Sequence, residues 1–294
     1  MYKILLLTDF SAASRHAIRF AQALFDDIAT EFCLLNAFPV EPEVGFSGAF
    51  LLAEQRQLAE QEMAHLEHAI RQQPVPAYHT YRSLVMVGSP VSAVKTLLGE
   101  EVFDLVVVGA VGTGHSELFG SVATDMIRSV TTNVLVVPAS APIRPINQVV
   151  LATDYRSVKD TGTFALLTDL ASRKAARLTL LTIENPKEPG SHAAELSRHY
   201  VLNAFDTIQV DTYTIHDDDV LHGINAYLDL HPVDLFVMVP HHKGFFDLLR
   251  NASLTRPLAY RPRVPLLTLF DEKAAPAPPT PSAGVNNTPY PTYN

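Results

Sequence analysis

A valine run followed by four closely spaced glycines is the part of this sequence best suited to binding chemistry. The segment VVVGAVGTGHSELFGS spans residues 106–121 and ends on a serine. Glycines let a backbone approach a ligand closely, and N–H groups at the start of a helix can hold phosphate oxygens. The segment lacks the Lys of a P-loop and the third glycine of the dinucleotide-binding pattern. If this segment binds phosphate, it does so with a different arrangement of residues. The alternative is a flexible loop that binds no ligand.

Asp9 is the second candidate, because it follows the first apolar run, KILLLT. Asp9 and Gly109 would both lie at the carboxyl ends of strands, where open parallel sheets bind their ligands. A carboxylate repels phosphate, so we expect Asp9 to accept hydrogen bonds from a ribose or a base. An Asp in this position can also be no more than a helix cap or a turn residue.

Other reactive side chains are less well placed for chemistry. His115 and Glu117 could act as acid or base in hydrolysis, although loop residues of this kind are usually solvated. The run His241-His242-Lys243 could clamp a metal or a phosphate, but adjacent residues point in different directions and no further ligand stands at metal-binding spacing. Cys33 is the single cysteine, which excludes a disulfide framework, and its apolar surroundings indicate a core residue. We expect no metal site and no catalytic residue.

The elements that must position these residues alternate between strand and helix. Valine and leucine runs without polar alternation are typical of strands covered on both faces, and therefore of a mostly parallel sheet. The predicted order is strand KILLLT, a helix from the N-cap Ser11 to about Phe25, strand FCLLNAF, a helix over about 50–73, strand YHTYRSLVMV, a helix from Pro90, strand DLVVVG, a helix over about Ser121–Ser129, and strand VLVVP.

The chain then repeats this pattern. Thr-Asp-aromatic follows an apolar run at Thr8 and again at Thr153, and FDLVVVG at 103–109 matches VDLFVMV at 233–239. The repeat length suits two copies of one domain. The predicted fold is α/β, with two repeated doubly wound (Rossmann-like) domains of five mostly parallel strands each. We place them at residues 1–140 and 145–272, and we expect the proline-rich residues 273–294 to be disordered.

Bulk composition narrows the possible partners. The formal net charge of −9 argues against nucleic acid and against an anionic membrane surface, because nothing offsets phosphate repulsion. The opening MYKILLLTDF is too short an apolar run for a signal peptide, and no stretch approaches the roughly 20 apolar residues of a membrane helix. We expect a cytoplasmic protein.

TDFS after the first strand and VVVGAVG…GS after the fourth resemble the universal stress proteins, here in tandem form over about residues 1–271. Nucleotide-binding members carry G-x2-G-x9-G-[ST] after the fourth strand. Gly109, Gly112, Gly120 and Ser121 match in type and order, with seven residues rather than nine between Gly112 and Gly120. The resemblance implies that these four residues hold the phosphates of ATP, with Mg²⁺. It also implies that Asp9 contacts the adenine or ribose, and that the backbone around Ala37 lines the adenine pocket.

The second copy departs from this pattern. Val239 or Pro240 stands in the place of Gly109 and Ala252 in the place of Gly120, so we expect a copy that binds no nucleotide. The resemblance also implies that the fifth strands of the two copies pair, which gives an internal pseudo-dimer and leaves a homodimer possible. The sequence favours an adenine-nucleotide-binding module for stress response or signalling, without fast chemistry. A slow ATP hydrolase of the adenine-nucleotide α-hydrolase type and a nucleotide-free interaction scaffold are the alternatives.

Overall fold

The computed structural model describes residues 1–39, 46–110, 121–155, 160–186, 192–240 and 264–272. The first half contains β1 (Tyr2–Leu7), α1 (Ala12–Leu24), β2 (Thr30–Phe38), α2 (Phe46–Arg71), β3 (His79–Val87), α3 (Pro90–Glu100), β4 (Leu105–Ala110), α4 (Ser121–Ser129) and β5 (Asn133–Pro138). The second half contains β6 (Gln148–Ala152), a 3-10 helix (Thr161–Phe164), α5 (Ala165–Arg173), β7 (Arg177–Glu184), α6 (His192–Asn203), β8 (Val210–His216), α7 (Val220–Leu230), β9 (Leu235–Met238) and β10 (Leu266–Thr268).

All ten strands belong to one sheet, in the order β3-β2-β1-β4-β5-β10-β9-β6-β7-β8. Neighbours within each half are parallel, as the buried valine and leucine runs predict. The halves meet where β5 and β10 pair antiparallel, with Leu267 opposite Leu135. The predicted α/β fold with two sets of five strands is therefore confirmed, and the two sets share a single continuous sheet.

Local chemistry explains where the helices of the first half begin. The hydroxyl of Ser11 accepts the N–H of Ser14 at 3.2 Å and caps α1, and Pro90 occupies the first turn of α3 after the N-cap Ser89. Helix α2 begins at Phe46, earlier than predicted. Among the described side chains of this helix, the first buried one is Ala59, so burial does not mark where the helix begins.

Two apolar layers cover the sheet. One face packs against α1, α2, α5 and α6, and the other against α3, α4 and α7. The connection between the halves joins the first layer through Ala141 and Ile146, which are 2% and 4% exposed. Within the described ranges, no helix combines the length and the hydropathy needed to cross a membrane.

Candidate functional site

A pocket of about 180 Å³ opens in the first half, at the sheet edge where β1, β2 and β4 end. The strand order changes direction between β1 and β4, which is where ligands bind in open parallel sheets. The first turns of α1, α3 and α4 complete the wall, so the positive ends of three helices face this region. The pocket is lined by Leu7, Thr8, Asp9, Ser11, Ala13, Ser14, Leu35, Ala37, Pro90, Val108, Gly109, Val122 and Ala123.

The structure brings some of the predicted site residues together in this pocket. Asp9, Ala37 and Gly109 all line it, although 100 positions of sequence separate Asp9 from Gly109. Gly112 and Gly120 lie outside the described residues. Ser121 is described only as the first residue of α4.

Asp9 lies at the exposed rim of the pocket. Its Oδ1 accepts the N–H of Ser11 at 3.0 Å, which closes the turn between β1 and α1. Partial burial opposes ionisation of Asp9, but hydrogen bonds from Ser11 and Ser14 outweigh this effect and hold the pKa of the carboxyl below its usual value. Asp9 is therefore a carboxylate at neutral pH, and its Oδ1 already accepts a hydrogen bond within the turn.

Thr8 is a pocket residue that the sequence reasoning missed. Its buried hydroxyl accepts the N–H of Phe10 at 3.0 Å, and this bond supports a left-handed Phe10 with φ 62°. The second half builds the same turn, where Tyr155 has φ 60° and its N–H donates to Thr153 Oγ1 at 3.0 Å. Repetition of Thr-Asp-aromatic was the available signal, and the structure shows that it encodes a turn.

Gly109 serves packing in a way that the sequence did not reveal. A Cβ built on Gly109 would lie 2.8 Å from the carbonyl oxygen of Ala13 and 3.1 Å from the nitrogen of Ser14. The missing side chain therefore makes room for the backbone of α1, which crosses directly over β4. This close approach brings the start of α1 beside the end of β4 and so shapes the pocket wall.

The second half carries larger side chains at the corresponding places. Ala37 lies two residues after Leu35, whose carbonyl accepts the N–H of Thr8. Ile183 lies two residues after Leu181, whose carbonyl accepts the N–H of Thr153, so Ile183 corresponds to Ala37. By the strand register, Val239 corresponds to Gly109.

The side chain of Ile183 packs on α7. Its Cδ1 lies 2.8 Å from the position that a Cβ on Gly223 would take, so Gly223 makes room for the larger residue. Where the first half has Ala37, the second half therefore fills the space beside its neighbouring helix with an isoleucine.

Several further lining residues that the sequence did not identify come from helix starts. Pro90 begins α3, and Val122 and Ala123 lie in the first turn of α4. The signal that could have identified them was their position in the first turn of a helix that follows a strand of the parallel sheet. Helix N-termini on that side converge on the switch point.

Cys33 does not line this pocket. Cys33 is fully buried in β2, and burial raises the pKa of its thiol to about 11, which confirms the expected core residue. His115, Glu117 and the run 241–243 lie outside the described residues. Across the described ranges, no three His, Cys, Asp or Glu side chains converge as metal ligands.

Comparison with known proteins agrees with this architecture. The model of the Universal stress protein family matches residues 1–138, slightly less than half of the chain. The sequence matches none of the curated proteins.

Among solved structures, a universal stress protein from Archaeoglobus fulgidus DSM 4304 superposes with a TM-score of 0.67 at 16% identity, over 91% of this chain and 97% of that chain. A putative universal stress protein from Pseudomonas aeruginosa UCBPP-PA14 gives 0.56 at 14% identity, over 92% and 93%. The cytoplasmic domain of a prokaryotic cation chloride cotransporter gives 0.52 at 13% identity, over 92% and 95%. These similarities extend over both halves and show the fold.

Proposed function

We propose that this chain is a tandem universal stress protein whose first half binds an adenine nucleotide, ATP with Mg²⁺, and whose second half binds none. The observation that carries the proposal is the pocket at the switch point. It lies within residues 1–138, the part that matches the family, and it contains Asp9, Ala37 and Gly109. The module acts in stress response or signalling in the cytoplasm.

The pocket suits one part of a nucleotide. Its volume of about 180 Å³ is below the roughly 300–1,000 Å³ of pockets that enclose a whole drug-sized ligand. Apolar side chains from β2, β4 and α3 provide flat contact for a base, and the Asp9 carboxylate at the rim can accept hydrogen bonds from ribose hydroxyls. The phosphates then extend along the start of α4, toward Gly112, Gly120 and Ser121.

The second half serves the first as a structural partner. Ile183 and Val239 stand where the first half has Ala37 and Gly109, so a base has less room. We infer that the pairing of β5 with β10 makes the chain an internal pseudo-dimer. A further homodimer of whole chains is compatible with this arrangement.

Binding rather than turnover is the proposed activity. Phosphoryl transfer needs positive charge at the γ-phosphate, and none of the described lining residues is Lys, Arg or His. A slow ATP hydrolase and a nucleotide-free scaffold are the competing functions. A phosphate-release assay on the intact chain tests for hydrolysis: turnover at about 1 s⁻¹ or faster, as in dedicated enzymes, would replace the binding proposal with a hydrolase.

A reciprocal pair of variants tests the site in the intact chain. Ala37→Ile introduces at the pocket the residue that the second half carries, and it should reduce ATP affinity at least about tenfold by filling space. Ile183→Ala makes the opposite change in the second half and should leave ATP affinity unchanged. Isothermal titration of both variants gives the answer. Unchanged binding in Ala37→Ile would place the nucleotide elsewhere.

A further inference from the structure

The outer edge of β8 is the barest sheet edge in the described part of the chain. The strands β3 and β8 terminate the sheet, but most residues of β3 are partly buried, whereas those of β8 are mostly exposed. The sequence of β8, VDTYTIH, contains neither Pro nor Lys, the residues that usually block a bare edge. An edge of this kind invites pairing with another extended segment.

The direction of the backbone groups of β8 follows from its pairing with β7. The N–H of Leu178 donates to the carbonyl of Gln209 at 3.2 Å, within a parallel register that places Leu178 opposite Val210. Odd-numbered residues of β8 therefore direct their N–H and C=O groups toward β7. Those of Thr212 and Thr214 point outward, where no described strand lies.

Residues 288–293, TPYPTY, have the pattern of a strand with one usable edge. Successive residues in a strand direct their N–H groups to opposite edges, so Pro289 and Pro291 both lack a donor on the same side. The N–H groups of Thr288, Tyr290 and Thr292 point to the other side. Proline is tolerated in sheets where its missing donor would face solvent, so this segment can pair on one edge and block the other.

We propose that residues 288–293 of the chain dock on β8 as an eleventh strand, with Thr288, Tyr290 and Thr292 bonding to its outward backbone groups. The proline-rich composition of this segment does not by itself favour an ordered structure, whereas hydrogen bonding to the open edge of β8 does. The prolines then face solvent and close the sheet against further addition.

The direction in which the chain leaves β10 favours β8, and the chain is long enough to reach it. The strands β10, β9, β6, β7 and β8 all run in the same direction, so the chain leaves β10 at the edge of the sheet where β8 ends. β8 lies four strand positions from β10, about 19 Å at ~4.8 Å per strand. Residues 273–287 span up to about 46 Å at the ~3.1 Å per residue of polyproline II. A segment arriving there by the shortest path runs antiparallel to β8.

Antiparallel docking also covers an exposed aromatic ring. In an antiparallel pair of strands, directly opposed residues alternate between hydrogen-bonded and non-hydrogen-bonded pairs. Pro289 and Pro291 do not bond to β8, so they occupy the non-hydrogen-bonded pairs. Pro289 and Pro291 then share a sheet face with Tyr213, whose side chain is 43% exposed and whose ring lies 5.3 Å from that of His231. Proline rings on Tyr213 would remove part of this apolar surface from water.

Hydrogen exchange measured by mass spectrometry tests the docking. The intact chain is compared with a chain ending at Glu272, through peptides that cover β8 and, as a reference, β3. We expect the amides of Thr212 and Thr214 to exchange at least about tenfold more slowly in the intact chain, with β3 unchanged. Equal exchange of β8 in the two chains, or protection that appears on β3 instead, would overturn the proposal.

Two variants at one position separate backbone pairing from side-chain contact. Tyr290→Ala keeps the N–H that faces β8 and should retain the protection, whereas Tyr290→Pro removes that N–H and should abolish it. Protection that survives in Tyr290→Pro contradicts the pairing. Protection that grows with protein concentration contradicts docking within one chain, because it means that the segment pairs with a second copy.

Discussion

Gly109 shows how one residue can serve both the fold and the site. It lines the pocket, but the space left by its missing side chain holds the Ala13 carbonyl oxygen, 2.8 Å from the position of a Cβ. Position 109 therefore requires glycine because α1 crosses closely over β4. Any ligand that contacts Gly109 meets backbone atoms whose position this crossing fixes.

Substitution at two glycines of the first half should have opposite effects. Gly109→Ala should lower the free energy of unfolding by about 2 kcal/mol, because the new methyl group meets main-chain atoms that cannot move independently. Gly99→Ala should raise it by about 0.5–1 kcal/mol, since Gly99 lies in α3 and a Cβ there would meet nothing within 4 Å. Urea unfolding of both variants provides the comparison. Equal stability of Gly109→Ala and the unmodified chain would contradict the close approach.

The environment of His222 leads to a second prediction at the residue scale. Its Nδ1 lies 2.5 Å from Asp217 Oδ2, and the hydrogen bond that it donates to Asp217 raises the pKa of the imidazole above its ordinary value. The pair therefore stabilises the fold below the ordinary pKa of 6.5 and loses this effect as pH rises through the raised value. An NMR titration should show the His222 pKa falling in Asp217→Asn. An unchanged pKa would mean that the contact is absent in solution.

At the scale of elements, a charged cluster ties together the sheet end opposite the pocket. Lys3 on β1 and Arg82 on β3 both contact Glu101, which follows α3, and Arg82 Nε also donates to Glu31 Oε1 on β2 at 2.8 Å. Both cations lie over the ring of Phe103, at 5.3 and 5.7 Å from its centroid. The cluster fixes the C-terminal end of α3, whose first turn forms part of the pocket.

Removing one charge from this cluster should have a pH-dependent cost. The hydrogen bond from Lys3 and the one from Arg82 hold the pKa of Glu101 below its ordinary value of 4.5. Glu101→Gln should therefore cost about 1 kcal/mol of unfolding free energy near neutral pH. The difference should shrink as pH falls from 4.5 through the lowered pKa, because Glu101 must then be protonated in the folded state as well as in the unfolded one. Glu100→Gln is the matched control, and an equal loss in both variants would refute a specific role of the cluster.

The elements also show what the sequence could and could not predict. Valine runs, the cap at Ser11 and the proline at Pro90 act locally, so the strands and the starts of α1 and α3 were predictable. The start of α2 was not, because the described side chains at positions 49–58 are not buried in the core. The crossing of α1 over Gly109 depends on contacts between distant segments, and spacing along the chain carries no signal for it.

At the scale of the whole molecule, side-chain contacts reinforce the joined sheet. The hydroxyl of Tyr2 donates to Asp169 Oδ2 at 2.6 Å, and Arg173 contacts both Asp169 and Asp27. Lys174 Nζ donates to Asp26 Oδ1 at 2.6 Å. Together with the pairing of β5 and β10, these contacts hold the two halves in one arrangement and leave no free edge on β5.

Separation of the halves should expose that edge. Residues 1–140 expressed alone would present β5, NVLVVP, without β10, and an apolar edge of this kind pairs with another strand. We expect this fragment to dimerise or aggregate in analytical ultracentrifugation, whereas the intact chain does neither through this edge. A monodisperse monomer of the fragment would argue against the internal pseudo-dimer.

We propose one adenine-nucleotide site per chain, in the first half. The stoichiometry of ATP bound to the intact chain, by native mass spectrometry and by calorimetric titration with Mg²⁺ present, tests this proposal. We expect one nucleotide per chain, with affinity reduced at least about tenfold in Ala37→Ile and unchanged in Ile183→Ala. Two nucleotides per chain, or none at millimolar ATP, would contradict it.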